Sequence, residues 1–252
     1  MKNVPTKARA YQAAVSALGI ALWAWAVVRL HFDQPQVAQL ILLTLVPVIV
    51  FAGLFTQHFR IPLGLNLTHE RLTFSLSDAI VLLVAYWYGV HPAIFVAGLE
   101  GFITSRRTVR RWSSNLFSTG MMSLVAASSG LIIKFAVTLG ATNGELPLHL
   151  AAVVFFAASV THNLVNVVLL STLLSMRHAK PILASWKESF LWTVPMLCLP
   201  TSAAAILMHH ALEHGWLTLV AIAVPTLLAI NISQRQNRRG VEQRINAVEK
   251  GH

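Results

Sequence analysis

The stretch Ser77-Asp-Ala-Ile-Val-Leu-Leu-Val-Ala-Tyr-Trp-Tyr88, then Gly89-Val-His-Pro92, then Ala93-Ile-Phe-Val-Ala-Gly-Leu-Glu-Gly-Phe-Ile-Thr-Ser105 decides how this chain is read. Glycine closes a helix and proline opens one, so Gly89 to Pro92 divides a long apolar segment into two helices. Halves of about 12 and 13 residues span about 18 to 20 Å, against a hydrocarbon core of about 30 Å. Two arrangements fit: one kinked helix crossing once, or a pair of short helices that enters and returns on the side it left.

The surrounding sequence sets this break in a membrane protein. Of 252 residues, 56% are hydrophobic and 11% charged, with mean hydropathy +0.64, whereas soluble domains carry about 25% charged residues. A soluble globule and a disordered chain are excluded, and the lone Cys198, in an apolar run, excludes a disulfide-stapled domain. Further apolar segments run over 11–30, 37–56, 114–138, 149–176, 188–211 and 215–233. The expected architecture is therefore all-α: a polytopic membrane helix bundle of about six spanning helices plus the short broken, re-entrant helix pair. The 11–30 segment exceeds a signal-peptide core and lacks a small-x-small cleavage site before Arg29, so it reads as the first span.

Lys and Arg number 19 against 9 Asp and Glu. In a soluble chain this excess would suggest nucleic acid; here the basic residues fall between apolar runs, where they orient helices, and no nucleic-acid partner is expected. With the N-terminus cytoplasmic and 77–105 returning to the side it left, every Lys and Arg except Arg29 and Lys134 lies on the cytoplasmic side. A single crossing would instead put Arg106, Arg107, Arg110 and Arg111 outside and invert everything after them. The positive-inside rule selects the returning pair, with both termini cytoplasmic. Residues 1–232 then form an integral membrane domain and 233–252 a cytoplasmic amphipathic exit helix. Val241, Ile245 and Val248 share one stripe of it, open to two readings: a solvated tail, or a dimerising, signal-passing linker.

Phe59-Arg-Ile-Pro62, Phe74-Ser-Leu-Ser-Asp78-Ala, Gly89-Val-His-Pro92-Ala and Gly98-Leu-Glu100-Gly101, followed by Trp186-Lys-Glu-Ser-Phe-Leu-Trp192-Thr and a last span with Pro225, together resemble the N-terminal membrane domains of bacterial HD-GYP and GGDEF cyclic-di-GMP signalling proteins. The match covers about residues 40 to 245, and none of its motifs is catalytic. The central pattern of Ser-x-x-Asp, short apolar helix, Gly-x-x-Pro and small-residue helix is also similar to the substrate-binding S subunits of energy-coupling-factor vitamin transporters. These resemblances imply a bacterial cytoplasmic (inner) membrane protein of about six helices with a buried pocket for a small or lipophilic ligand. The first implies a homodimer or a separate cytoplasmic output protein as partner; the second implies that Ala13, Ala17 and Ala21 of the first helix meet a transmembrane coupling subunit. Neither implies a cofactor.

Asp78 and Glu100 sit one in each half of the broken segment, and an acid at mid-membrane costs about 2.5 to 3.5 kcal/mol. One reading has them line a ligand site where broken backbone faces a cavity. The other makes Asp78 a helix cap at the membrane surface and pairs Glu100 with Arg106 and Arg107. His162, Asn163 and Asn166 fall mid-membrane and must find partners, by interhelical hydrogen bonding, by lining the pocket, or by axial haem ligation at His162. Ala13, Ala17 and Ala21, and likewise Ala93, Ala97, Gly101 and Ser105, form small-residue stripes suited to close helix packing or to partner docking. His210-Ala-Leu-Glu213-His214 has the form of an inverted zinc-protease motif, but Gly215 ends the helix there and no third ligand lies on that side, so no metal site and no catalytic residue is expected. No nucleophile elbow, P-loop or dinucleotide fingerprint occurs, and the chain reads as a binding module, not an enzyme.

Overall fold

The computed structural model describes residues 5–47, 60–61, 72–73, 76–108, 111–140, 146–178, 181, 198, 201–210 and 215. The exit-helix positions Val241, Ile245 and Val248, the 215–233 segment beyond Gly215 and most of 188–211 lie outside them. The chain divides into two compact units, Met1–Arg60 with Leu72–Ile206, and Ile61–Arg71 with Leu207–His252. Of the second, only Ile61, helical residues 207–210 and Gly215 are described.

The first unit is built from α1 (Thr6–Asp33), α2 (Pro35–Leu40), a π-helical turn Ile41–Leu45, α3 (Leu76–Trp87), α4 (Val90–Thr108), α5 (Trp112–Gly140) and α6 (Leu148–His178). Two-residue strands β1 (Arg60–Ile61) and β2 (Leu72–Thr73) complete the named elements. Three helices among the described residues, α1, α5 and α6, are long and apolar enough to cross a membrane. The chain is thus a membrane protein with a helical fold.

Local chemistry sets the helix ends. Gln34 precedes Pro35 and leaves the helical region, at φ −144° and ψ +60°, which stops α1 and lets proline open α2. The expected break appears at Gly89, whose φ of +94° only glycine adopts without strain. Pro92 falls in the first turn of α4, where its missing N–H would have no intrahelical acceptor.

The two halves are not alike, which corrects the expectation of two short helices. α3 has 12 residues, but α4 runs on through Arg106 and Arg107 to 19, a rise of about 28 Å that nearly matches the hydrocarbon core. Arginine ends no helix; its long side chain carries the charge outward while the backbone stays helical. The pair is therefore one half-length and one almost full-length helix.

Side-chain contacts fix the helix directions. Gln12 Nε2 donates to the Ser113 carbonyl at 2.8 Å, and Gly19 abuts Gly120, so α1 and α5 run parallel. Trp23 Nε1 donates to the Phe95 carbonyl at 3.0 Å, and Trp25 packs edge-on against His91, so α4 runs antiparallel to α1. Arg177 donates to Gln12 at 2.9 Å, so the end of α6 lies beside the start of α1, and the pairs Asp78–His162 and Tyr86–Phe155 show α6 running antiparallel to α3. Consequently the start of α1, the end of α4, the start of α5 and the end of α6 share one end of the bundle. Lys7, Arg9, Arg106, Arg107, Arg111 and Arg177 lie there, while Arg29 and Lys134 lie at the other, the partition expected from the sequence.

The 12-residue α3 is more buried than the three spanning helices. Every residue of α3 from Ala79 to Ala85 is at most 4% exposed, whereas in the spanning windows of α1, α5 and α6 only 22%, 39% and 33% of residues are buried. A helix apolar on all sides is surrounded by protein or lipid; α3, too short to cross, is surrounded by protein. The longer helices present Leu18, Phe32, Phe135 and Val153 outward, where acyl chains solvate them.

Candidate functional site

The half-length helix begins inside the bundle. Ser77, in its first turn, hydrogen-bonds Glu100, and Glu100 lies about 15 Å along α4 from Val90. Ser77 and Glu100 are 2% and 7% exposed. The first turn of α3, the partially positive end of its dipole, is thus held inside the bundle beside two carboxylates.

Asp78 follows in that turn. Its Oδ1 stands 3.6 Å from Nε2 of His162, and the Asp78 side chain keeps 19% exposure where the imidazole has none. On the other edge of the ring, Nδ1 lies 3.4 Å from the Ser129 hydroxyl, which also bonds back to the Val125 carbonyl of its own helix at 3.1 Å. One imidazole therefore links α3, α5 and α6. At 3.6 Å the Asp78 contact is longer than a hydrogen bond, and His162 Nε2 has no hydrogen-bond partner. A buried ring nitrogen facing a carboxylate at that distance is satisfied only if a proton or a donor group comes between them, or if the two side chains draw together.

Of the five expected ligand-lining residues, Asp78 and His162 are brought together, and Glu100 joins their helix turn through Ser77. Asn163 is not brought to that contact: its amide donates to the Ser159 carbonyl of its own helix at 2.9 Å. Ser159 in turn donates to the Cys198 carbonyl at 3.1 Å, and the Cys198 thiol lies 3.7 Å from the Ser159 carbonyl. This pins 198 to α6, one of the interhelical roles open to Asn163 and its neighbours. Asn166 is half-buried, and its Oδ1 makes no hydrogen bond. Asp78 lies in the first turn of α3, with its carboxylate facing His162. Among the described residues no group of three His, Cys, Asp or Glu could hold a metal ion, and of the inverted zinc motif only His210 is described.

Sequence reasoning missed Ser77, Ser129 and Ser159, each buried and each completing a contact above. The available signal was a hydroxyl within the Ala126-Ala-Ser-Ser-Gly130 and Ala157-Ala-Ser159 small-residue runs, where a serine adds a polar group without bulk.

The two small-residue stripes separate. Ala93, Ala97 and Gly101 are buried, and a side chain at Gly101 would meet the Ser118 carbonyl of α5. Ala13, Ala17 and Ala21 are exposed. The close approach of α1 is made by Gly19 instead, one turn-face away, with Val15 and Ala26 buried beside it. No protein-family model, curated protein or solved structure matches this chain.

Proposed function

We propose that this chain is a membrane-embedded ligand-binding or sensory module that passes the state of an intramembrane site, centred on Asp78 and His162 with Glu100 alongside, to a cytoplasmic or membrane partner. The observation that supports this reading is the unsatisfied contact itself. An acid and an imidazole held at depth cost free energy on their own, and a structural pair would close to hydrogen-bond distance. Asp78 is partly exposed, so a small donor or a proton can reach the pair. The resemblance to the input domains of cyclic-di-GMP signalling proteins is in keeping with an intramembrane sensor.

The test is untargeted mass spectrometry of small molecules carried through purification by the wild-type chain and by Asp78→Asn and His162→Gln variants. A compound retained by the first and lost from both variants supports the site. Identical extracts from all three, with equal thermal stability, overturn it.

A second reading, an S-subunit-like component of a vitamin-type transporter, is favoured by one observation: Ala13, Ala17 and Ala21 form a small-residue face that the described helices leave uncovered. Uptake that survives deletion of residues 236–252 but fails on Ala17→Leu would favour transport over signalling through the exit helix.

A further inference from the structure

The buried imidazole of His162 is held so that a lone pair faces an acid. Ser129 has a single hydroxyl hydrogen, and its nearest acceptors are the Val125 and Ala126 carbonyls of its own helix, at 3.1 and 3.3 Å. Toward His162 Nδ1, at 3.4 Å, the same oxygen is left with a lone pair to offer. Nδ1 therefore carries the ring hydrogen of the neutral imidazole, and Nε2 turns its own lone pair to Asp78 Oδ1 at 3.6 Å. Two acceptors stand opposed.

The size of the gap selects what can join them. A donor heavy atom set between two acceptors stands about 2.9 Å from each and needs about 5.8 Å in all, well beyond the 3.6 Å that separates this pair. Sideways approach to Nε2 is closed as well, because the atom is buried and the imidazole has no exposure. A proton fits. Asp78, with 19% of its side chain exposed, is where it enters. Once on Nε2, it turns opposed lone pairs into a charge-assisted hydrogen bond of about 2.7 to 2.9 Å, so the contact shortens by about 0.7 to 0.9 Å and draws α3 toward α6. The pair passes from one net negative charge to none, which removes an unbalanced charge from the bundle interior.

Few other ionisable groups face this contact from the described helices packed around it. From α4 comes Glu100, hydrogen-bonded to Ser77 beside Asp78, while Arg106 and Arg107 lie at the far end of that helix. The ionisable side chain of α5 is Lys134, toward the opposite end of the bundle, and on α6 His149, Arg177 and His178 lie near the helix ends. On α3 itself Tyr86 packs against Phe155, and the Cys198 thiol lies 3.7 Å from the Ser159 carbonyl, on the turn before His162. Among the described residues, His162 is the basic side chain within ion-pair distance of Asp78.

We propose that the intramembrane site is a proton-binding site, in which Asp78 Oδ1 and His162 Nε2 hold one proton between them, taken up from water through the Asp78 carboxylate, while Ser129 orients the ring to receive it. This names the ligand of the regulated site read above and rests on that reading.

The full chain is prepared with histidine carrying a spin-active nitrogen isotope, reconstituted in vesicles of phosphatidylcholine and phosphatidylglycerol, and followed by solid-state NMR across the pH range in which imidazole titrates; the signal missing from H162Q belongs to His162. At the alkaline end His162 should be the Nδ1–H tautomer, and acidification should protonate Nε2 as well. D78N should need a proton concentration about tenfold or more higher to reach the same state, because a carboxylate this close changes proton affinity by at least that factor. E100Q should shift the titration by less than D78N does. Should D78N fail to fold, S129A serves: without its acceptor Nδ1–H should give way to Nε2–H at alkaline pH, whereas S128A should leave the tautomer unchanged. A His162 fixed as Nε2–H at every pH, equal titration in wild type and D78N, a larger shift in E100Q than in D78N, or a tautomer unmoved by S129A would overturn the proposal. A compound retained by the wild-type chain and lost from D78N and H162Q, beside a His162 that does not titrate, removes the proton as ligand and leaves the site reading standing.

Discussion

Replacing Gly19 by alanine tests the packing that sets the whole bundle. A Cβ at Gly19 would fall onto the Cα, C and O atoms of Gly120, far inside van der Waals contact. Carbon atoms rest about 3.5 to 4.0 Å apart, so α1 and α5 must separate by more than about 1 Å. Backbone cannot rotate away as a side chain can, so the change lies at the upper end of overpacking costs of about 1 to 3 kcal/mol. Alanine returns up to about 1 kcal/mol of helix propensity, leaving a net loss of about 2 kcal/mol. Gly120→Ala meets Val15 and Ser16 backbone at 2.9 to 3.1 Å and should lose about 1 kcal/mol or less. Gly130→Ala meets Val90 at 3.4 to 3.6 Å, ordinary contact, and should gain up to about 1 kcal/mol. At roughly 2 to 4 °C per kcal/mol for a chain of this size, G19A should melt about 4 to 8 °C below wild type and G130A up to about 4 °C above it. Fluorescence-detected size exclusion after a temperature series in detergent measures this order. G19A as stable as wild type, or G130A falling as far as G19A, would refute the contact between α1 and α5.

Asp78 and His162 should be energetically coupled: in a double-mutant cycle of Asp78→Asn and His162→Gln, unfolding free energies in detergent should depart from additivity by about 0.5 kcal/mol or more, and strict additivity would mean that the two side chains do not interact. Cys198, 1% exposed and the only cysteine, should react with a maleimide about 100-fold or more slowly in the folded protein than in SDS, whereas comparable rates would place the thiol outside the packing against Ser159. Reporters fused after Arg111 and after Gly140 should read opposite sides of the membrane, the first cytoplasmic, because α5 spans between them; the same side for both would remove α5 as a crossing.

The intramembrane pair illustrates how far residue-by-residue reading reaches. Asp78 and His162 each stood out because a polar group in an apolar run is costly wherever it lies, a property of the residue and its neighbours alone. That they face each other across two helices depends on the rotation of α3 and α6 about their axes, which no local pattern encodes. Asn163 stood out equally, yet the same geometry turned it back onto Ser159. Glu100 found a hydroxyl on the neighbouring half-helix, a contact invisible without the pairing of α3 and α4.

What the sequence determined by itself was local or summed over the chain: a membrane protein by hydropathy, a helix break at Gly89 and Pro92 by backbone sterics, and the gathering of basic residues at one end by charge. The tertiary structure alone decided that the 12-residue α3 is more buried than the three spanning helices, that α4 is nearly full length, and that α1 packs through Gly19 while Ala13, Ala17 and Ala21 face outward. The physical reason is the solvent. In water an apolar stripe marks the face that turns inward, but lipid is as apolar as a protein core, so hydropathy cannot tell one face of a spanning helix from another. Close fit decides instead, and fit exists only once both surfaces are in place.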